Sequence, residues 1–338
     1  MKVNGAGGAR TFASRMIARI DGALAPLLEP GRPVALVNYA NHPNPGDNAI
    51  WLGTLRTLRR LNVPVGYTST WTAFSENAMR RAIGGGTLLL NGGGNFGDLY
   101  AGQEDLREAL LARCTDRRIV QLPQSIWFRS SSRLERARRL CAAHPNFVLM
   151  VRERQSAELA VDRLGIPAVL CPDLAFGMGA MHRAAPAERG AQWIVRSDRE
   201  AIPRALPEGV AASDWIADDP ADGFWPGERD LLQLNRALIA FVGRDERRAE
   251  VRAKALSGTF EPLANAWVRR GAAMVSSAGT LVTDRLHVHV FAILLGIPHV
   301  VLDNSYGKLR STFETWTSES GLAAWADDAR AALDAVTA

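Results

Sequence analysis

From position 33 onward, short and nearly continuous apolar runs alternate with stretches of helical spacing. PVALVNYA (33–40), VPVGYT, TLLLNGGG (87–94), RIVQLPQS (118–125), FVLMVRE (147–153) and PAVLCPDLAF (167–176) read as strands buried on both faces. The spacing between them predicts helices over about 48–60, FSENAMRRAI, 103–114, SRLERARRLCAA and 154–164. Such alternation predicts a parallel sheet with helices on both sides. GMGAMHRAAPAERG (177–190), with its glycines and proline, breaks the series. A second α/β series follows, with strands AQWIVRS (191–197), GVAASDWI (209–216), AAMVSS (272–277) and HVVLDN (299–304). Its helices are expected around 226–242, 260–270 and 284–295, with an Ala-rich terminal helix from Gly321 to Val336. The expected organisation is an N-terminal extension (1–30), one α/β unit over 31–180 and another over 185–338, its terminal helix able to cross back to the first.

The extension carries an amphipathic helix from Phe12 to Leu28 with bases on one side. It suits either packing on the first unit or a peripheral contact with an anionic inner membrane. Its apolar pieces are too short for a secretory signal. The longest apolar stretch, His287 to Leu302, is interrupted by histidines, a glycine and a proline, so no membrane span is expected. A cytoplasmic protein follows, alone or leaning on the inner membrane. With 338 residues and 47% of them apolar, the chain has material for two cores. Cys114, Cys141 and Cys171 lie far apart, which argues against a thiolate zinc site and fits a reducing compartment. The net charge of +5 is dispersed over helical faces without aromatic interleaving, so a small anionic substrate explains it better than nucleic acid. No His and carboxylate set has metal-ligand spacing, and no cofactor is expected.

Ligands of parallel α/β sheets bind outside the carboxyl ends of the strands, where three unusual loops fall. In NHPNPGDNAIW (41–51), Gly46 allows a close backbone approach, Asp47 or Asn48 can cap the next helix, and His42 is the ionisable group at the strand exit. In LNGGGNFGDLY (90–100), Gly92, Gly93 and Gly94 expose amides suited to an anion or a closely held sugar, with Asn95 beside them. Asp98 can accept sugar hydroxyls or cap the next helix. In SSAGTLVTDRLHVHVFAILLGIP (276–298), Arg285 and His287 would face apart on a regular helix. They share a site only if Arg285 lies in or before the first turn. Asp284 and His287, three apart, are cofacial on a helix and suited to pair. His289 and His299 read as core histidines. Gln124, Asp173 and the Arg152–Glu153 pair also end strands, and Tyr306, Lys308 and Arg310 follow the last one.

NPGDNAIWLGT, NGGGNFGD, the V-R-E segment with Ser156, TDRLHVHVFAILLGIP and DNSYGK, in this order, resemble the polysaccharide pyruvyl transferases over about residues 33–318. The resemblance implies two Rossmann-like domains facing a cleft, as in the GT-B glycosyltransferases. It also implies phosphoenolpyruvate as donor and a sugar of an exopolysaccharide or its lipid-linked precursor as acceptor. The family's Arg-Leu-His signature is matched by Arg285, Leu286 and His287. The arginine of its V-R-[DE] segment is matched by Arg152, with Glu153 replacing the commoner aspartate. The chemistry suits these residues. Arg152 and Arg285, with Lys308 or Arg310 as a third cation, would hold the donor's carboxylate and phosphate. His287, oriented by Asp284, would protonate the donor's methylene carbon, and His42 is the rival for that role or the base for the acceptor. The competing reading on the same architecture is a GT-B-type glycosyltransferase using a sugar nucleotide.

Overall fold

The computed structural model describes residues 5–184, 189–198, 201–216, 223–240, 246–305 and 307–337. Its first sheet holds β1 (Val34–Val37), β2 (Val65–Ser69), β3 (Leu88–Leu90), β4 (Gly93–Phe96), β5 (Ile119–Ile126), β6 (Phe147–Val151) and β7 (Ala168–Leu170). The order is β2-β1-β3-β5-β6-β7 and every pairing is parallel. β4 takes over from β3 beside the far half of β5, setting Gly93 against Gln124 and Phe96 against Ile126. β5 is buried along its whole length, as a central parallel strand covered on both faces must be. The second sheet holds β8 (Arg189–Ile194), β9 (Ala212–Ser213), β10 (Ala278–Thr283), β11 (His299–Val301) and β12 (Ala323–Trp325). Its order is β12-β11-β10-β8-β9, again all parallel.

The second half departs from the sequence reading in three places. AAMVSS is no strand: a helix runs Glu246–Ser276 and β10 begins at Ala278. A short apolar run carries no period of its own, and Ser276 continues the helix by donating to Ala272 O at 2.6 Å. GVAASDWI contributes only the two residues of β9. The Ala-rich tail contains β12, paired with β11, before a last helix, Ala329–Thr337. That helix does not cross back. Ala329 and Ala332 pack with Val282 and Val300 of the second sheet.

The crossing element is at the other end of the chain. Helix Gly5–Leu24 buries Phe12, Met16, Ile20 and Leu24, one residue per turn. Phe12 meets Phe176 edge-on at 6.0 Å, and the helix touches both Pro45–Arg60 of the first half and Leu286–Leu295 of the second. Asp21 pairs with Arg60 at 2.8–2.9 Å, and Arg19 stacks over Trp316. The apolar face that suited a membrane is therefore buried in the protein's own core. Among the described residues no helix is long and apolar enough to cross a membrane.

Candidate active site

Loops from the carboxyl ends of both sheets line one cavity of about 320 Å³. His42, Asp47, Gly92, Gly94, Asn95 and Arg152 come from the first half, and Arg285, His287 and Lys308 from the second.

β10 ends at Thr283, whose Oγ1 accepts from the Arg285 amide at 3.0 Å, and the helix begins at Leu286 with Arg285 as its extended cap. Because Arg285 precedes the first turn, it and His287 both reach the cavity. Gly46 opens the space for the imidazole. A Cβ there would lie 2.2 Å from His287 Nδ1, so an alanine would displace the ring. His287 Nε2 lies 3.3 Å from Asp173 Oδ2, and the same oxygen accepts from Arg152 Nη1 at 2.7 Å. Asp173 is 1% exposed. Burial alone would raise its carboxyl, but the charge and hydrogen bond of His287, joined by Arg152, outweigh that and hold it well below the usual carboxylate range.

Asp284, expected to orient His287, does not touch it. Its Oδ1 accepts from the Arg196 amide at 2.8 Å, and burial pushes its carboxyl up. With the helix starting at Leu286, Asp284 sits on extended chain, where the i,i+3 neighbourhood of a helix does not apply. Asp173, from the other sheet, takes that position.

Arg152 and Glu153 are no surface pair, at 2% and 1% exposed. Arg152 Nε donates to Ser125 Oγ at 2.8 Å, and Ser125 donates to Glu153 at 2.9 Å. Glu153 also accepts from Ser156, and burial raises its carboxyl despite Arg152. Arg285 is gripped by the Asp214 carboxylate through Nε and Nη2, with Asp198 at 3.1 Å; Asp198 also takes Arg196 at 2.9–3.0 Å. Arg310 lies off the cavity. It pairs with Asp327 at 2.8 Å and Asp303 at 3.7 Å, and its guanidinium stacks 4.4 Å above Trp325. Tyr306 lies outside the described residues.

In the first loop the helix cap is Asn44, not Asp47 or Asn48. Its Oδ1 accepts from the Gly46 amide at 3.0 Å, with Pro45 as the first helical residue. Asp47 instead faces His42, Oδ2 to Nε2 at 3.3 Å. Asn48 is buried, accepting from the Tyr39 hydroxyl and donating to the His42 and Asn44 carbonyls. In the second loop Gly93, at φ 133°, stays off the cavity lining between Gly92 and Gly94. Asn95 is fixed by Gln124, which both donates to its side chain and accepts from its amide, and by Arg107. Asp98 accepts from the amides of Arg129 and Ser130. Asn48, Asp98 and Gln124 thus shape the cavity without lining it.

Sequence reasoning missed Arg196, Asp198, Tyr100, Gln103, Trp215 and Ile216, which also line the cavity, and Asp214 behind it. Arg196 and Asp214 follow β8 and β9 closely, within the runs AQWIVRS and GVAASDWI, so the strand-exit rule, applied as closely to the second unit, would have found them. Among the described residues no group of three or more His, Cys, Asp or Glu is placed to hold a metal ion.

The family model of the polysaccharide pyruvyl transferases matches residues 44–306. The chain is 32% identical over 296 residues to pyruvyl transferase 1 of Schizosaccharomyces pombe, an alignment spanning 84% of this chain and 69% of that protein. It is 29% identical to EpsO of Bacillus subtilis, provisionally named a pyruvyl transferase, over 82% of this chain and 84% of that one. A crystal structure of a functionally uncharacterized Klebsiella pneumoniae protein shares the α/β fold, with a TM-score of 0.59 at 15% identity over 92% of this chain and 98% of that one. The family match runs from the Asn44 cap through the Arg285–His287 segment, and the chain is an enzyme of the polysaccharide pyruvyl transferase family.

Proposed function

We propose that the protein moves the pyruvyl group of phosphoenolpyruvate onto a sugar of an exopolysaccharide or its lipid-linked precursor and closes it into a ketal. The reaction would run in the cytoplasm, where the donor is made, in a cleft between two Rossmann-like lobes. One observation carries the reading: His287 and Arg152 share a single buried carboxylate oxygen of Asp173 at the wall of a cation-rich cavity. A proton carrier and an anion-binding fork are thus held side by side.

Arg152, Arg196, Arg285 and Lys308 line the cavity, and their planar forks and ammonium suit a donor with a carboxylate and a phosphate. His287 gives a proton to C3 of the enol, turning methylene into methyl while positive charge grows at C2. An acceptor hydroxyl adds at C2 and loses its proton to the His42–Asp47 pair. A second hydroxyl then forms the other C2–O bond and gives its proton to His287, left neutral by the first step, as inorganic phosphate leaves with the electrons of the bond that held it. The cations stabilise the departing charge. Asp173 fixes the direction of the imidazole.

The test is incubation in D2O with phosphoenolpyruvate and gluco-, galacto- and manno-configured oligosaccharides. Release of inorganic phosphate with a singly deuterated pyruvyl methyl on the sugar is expected. Transfer of sugar from a panel of sugar nucleotides, with phosphoenolpyruvate inert, would overturn the reading in favour of a glycosyltransferase.

A further inference from the structure

We propose that the cavity's first-sheet rim is a subsite for a pyranose ring of the acceptor, built on Trp71 and Tyr100; it rests on the polysaccharide acceptor of the proposed function. Trp71 stands in the loop leaving β2, and Tyr100 caps helix Ala101–Arg113 after β4, so both belong to the carboxyl end of the first sheet. They are 45% and 37% exposed. Tyr100 lines the polar cavity and Trp71 packs on the same helix start outside its lining, and two large aromatics exposed to water there mark a surface that something covers.

The geometry ties the two together. A Cβ at Gly102 would lie 2.6 Å from Trp71 Cζ3 and 2.8 Å from Cη2. The indole therefore rests directly on the bare first turn of the helix. Gly102 lies between Tyr100 and Gln103, both of which line the cavity. Gln103 adds an amide whose buried Oε1 has no hydrogen-bond partner. An indole, a phenol and an unsatisfied amide on one helix start have little to offer a phosphate. It matches a pyranose, whose C–H face packs on an aromatic ring while its hydroxyls seek polar partners at the edge. The cations would then serve the donor and the aromatic rim the sugar, so the two substrates meet between them.

The test compares wild type with W71A, W71F and G102A, using methyl glucoside, galactoside and mannoside and the corresponding disaccharides as probes. G102A leaves a better helix former in place but lifts the indole, so it probes the shelf in a folded protein. In W71A the acceptor KM should rise by about tenfold or more while the KM for phosphoenolpyruvate stays within about twofold, the pattern of lost acceptor binding alone. W71F should recover most of the loss and G102A reproduce part of it. A second readout needs no donor: saturation transfer from protein to glycan by NMR should be strong in wild type and lost in W71A. If wild type binds glycan through Trp71 but moves no pyruvyl group from phosphoenolpyruvate, the functional reading fails and the subsite stands. Acceptor KM and saturation transfer unchanged in both W71A and G102A would overturn the subsite, whatever the donor proves to be.

Discussion

His287 and His289 sit two residues apart on one helix and face opposite environments. His287 opens onto the cavity and meets the Asp173 carboxylate. His289 is fully buried, as is His299 beside it. Their hydrogen bonds form one consistent chain. His299 Nδ1 donates to Ile297 O at 2.8 Å, His289 Nδ1 donates to His299 Nε2 at 2.6 Å, and the Thr317 hydroxyl donates to His289 Nε2 at 2.8 Å. Every ring nitrogen is used with both rings neutral, so an added proton would break the chain. Burial accordingly pulls His299 down to about 4 and His289 well below its ordinary value. In the proposed reaction the same side chain serves as a proton carrier or a core strut according to whether a carboxylate and an opening to the cavity stand beside it.

The largest effect that can break this contrast is expected at His287. A folded H287A protein should keep donor binding and lose ~10²–10⁴ in turnover, the range of general acid–base catalysis. The measurements are turnover and deuterium at the pyruvyl methyl. Near-normal values in H287A, with both abolished in H42A, would move the acid role to His42.

Asp173 comes next, because both Arg152 and His287 depend on it. D173A leaves Arg152 without its shortest ion pair in an interior site. Breaking a buried pair from one side costs about 3–5 kcal/mol, measurable by denaturant unfolding. D173N spares more of the hydrogen bonding but removes the negative charge that faces His287 and Arg152. Turnover should fall by about tenfold or more in a protein that stays folded. Turnover equal to wild type would show that Asp173 only packs.

These two residues also mark what the sequence could reveal. His287 was legible because strand ends and helix starts place side chains at the crevice, and the family signature falls on that segment. Asp173 was visible only as one more residue at a strand end. Its pairing with His287 joins positions 114 apart in sequence, on different sheets, and no periodicity encodes such a contact. Asp284 shows the opposite failure: local spacing suggested a partner, but the helix began too late for that spacing to hold. The alternation of strands and helices was legible throughout the first half, where apolar runs are long and turns polar. It failed around 272–277 and 321–336, where alanine serves helix and strand alike. The brace under the glycine loop, Arg107 with Glu104, Asn95 and Gln121, left no signal, because an i,i+3 charged pair ordinarily marks a solvated helix face.

The core side of the comparison predicts a pH effect on stability. His299 titrates at about 4 when folded against 6.5 when unfolded, so between those values the unfolded chain binds more protons. Stability is complete above pH 6.5 and falls as pH drops through this window. His299 alone should cost about 2 kcal/mol between pH 7 and pH 5. Asp173, held low, loses its contribution only in stronger acid, while the buried carboxyls of Glu153 and Asp284, raised on folding, act with the opposite sign as pH falls. Unfolding free energies measured at both values check it. H299Q, which still donates and accepts, should flatten the dependence, and an unaltered slope in that variant would mean that other groups set it.

The smallest effect is expected at Arg310, which the sequence placed among the donor ligands beside Lys308. They stand two positions apart, but Lys308 lines the cavity while Arg310 turns to Asp327 and Trp325 on the far side. The Arg310 side chain is half exposed, and Asp327 more so, so solvent screens the pair. Exposed ion pairs of this kind contribute about 0–1 kcal/mol. R310A should therefore leave the donor's KM within about twofold of wild type and shift stability by no more than that range, whereas K308A, removing a cation from the cavity wall, should raise the donor's KM by about tenfold. Equal losses in the two variants would mean that the segment after β11 swings Arg310 into the cavity when the donor binds. The division between site-facing and outward-facing side chains would then describe only the ligand-free state on this strand exit, while the His287–His289 contrast, set inside a regular helix, would stand.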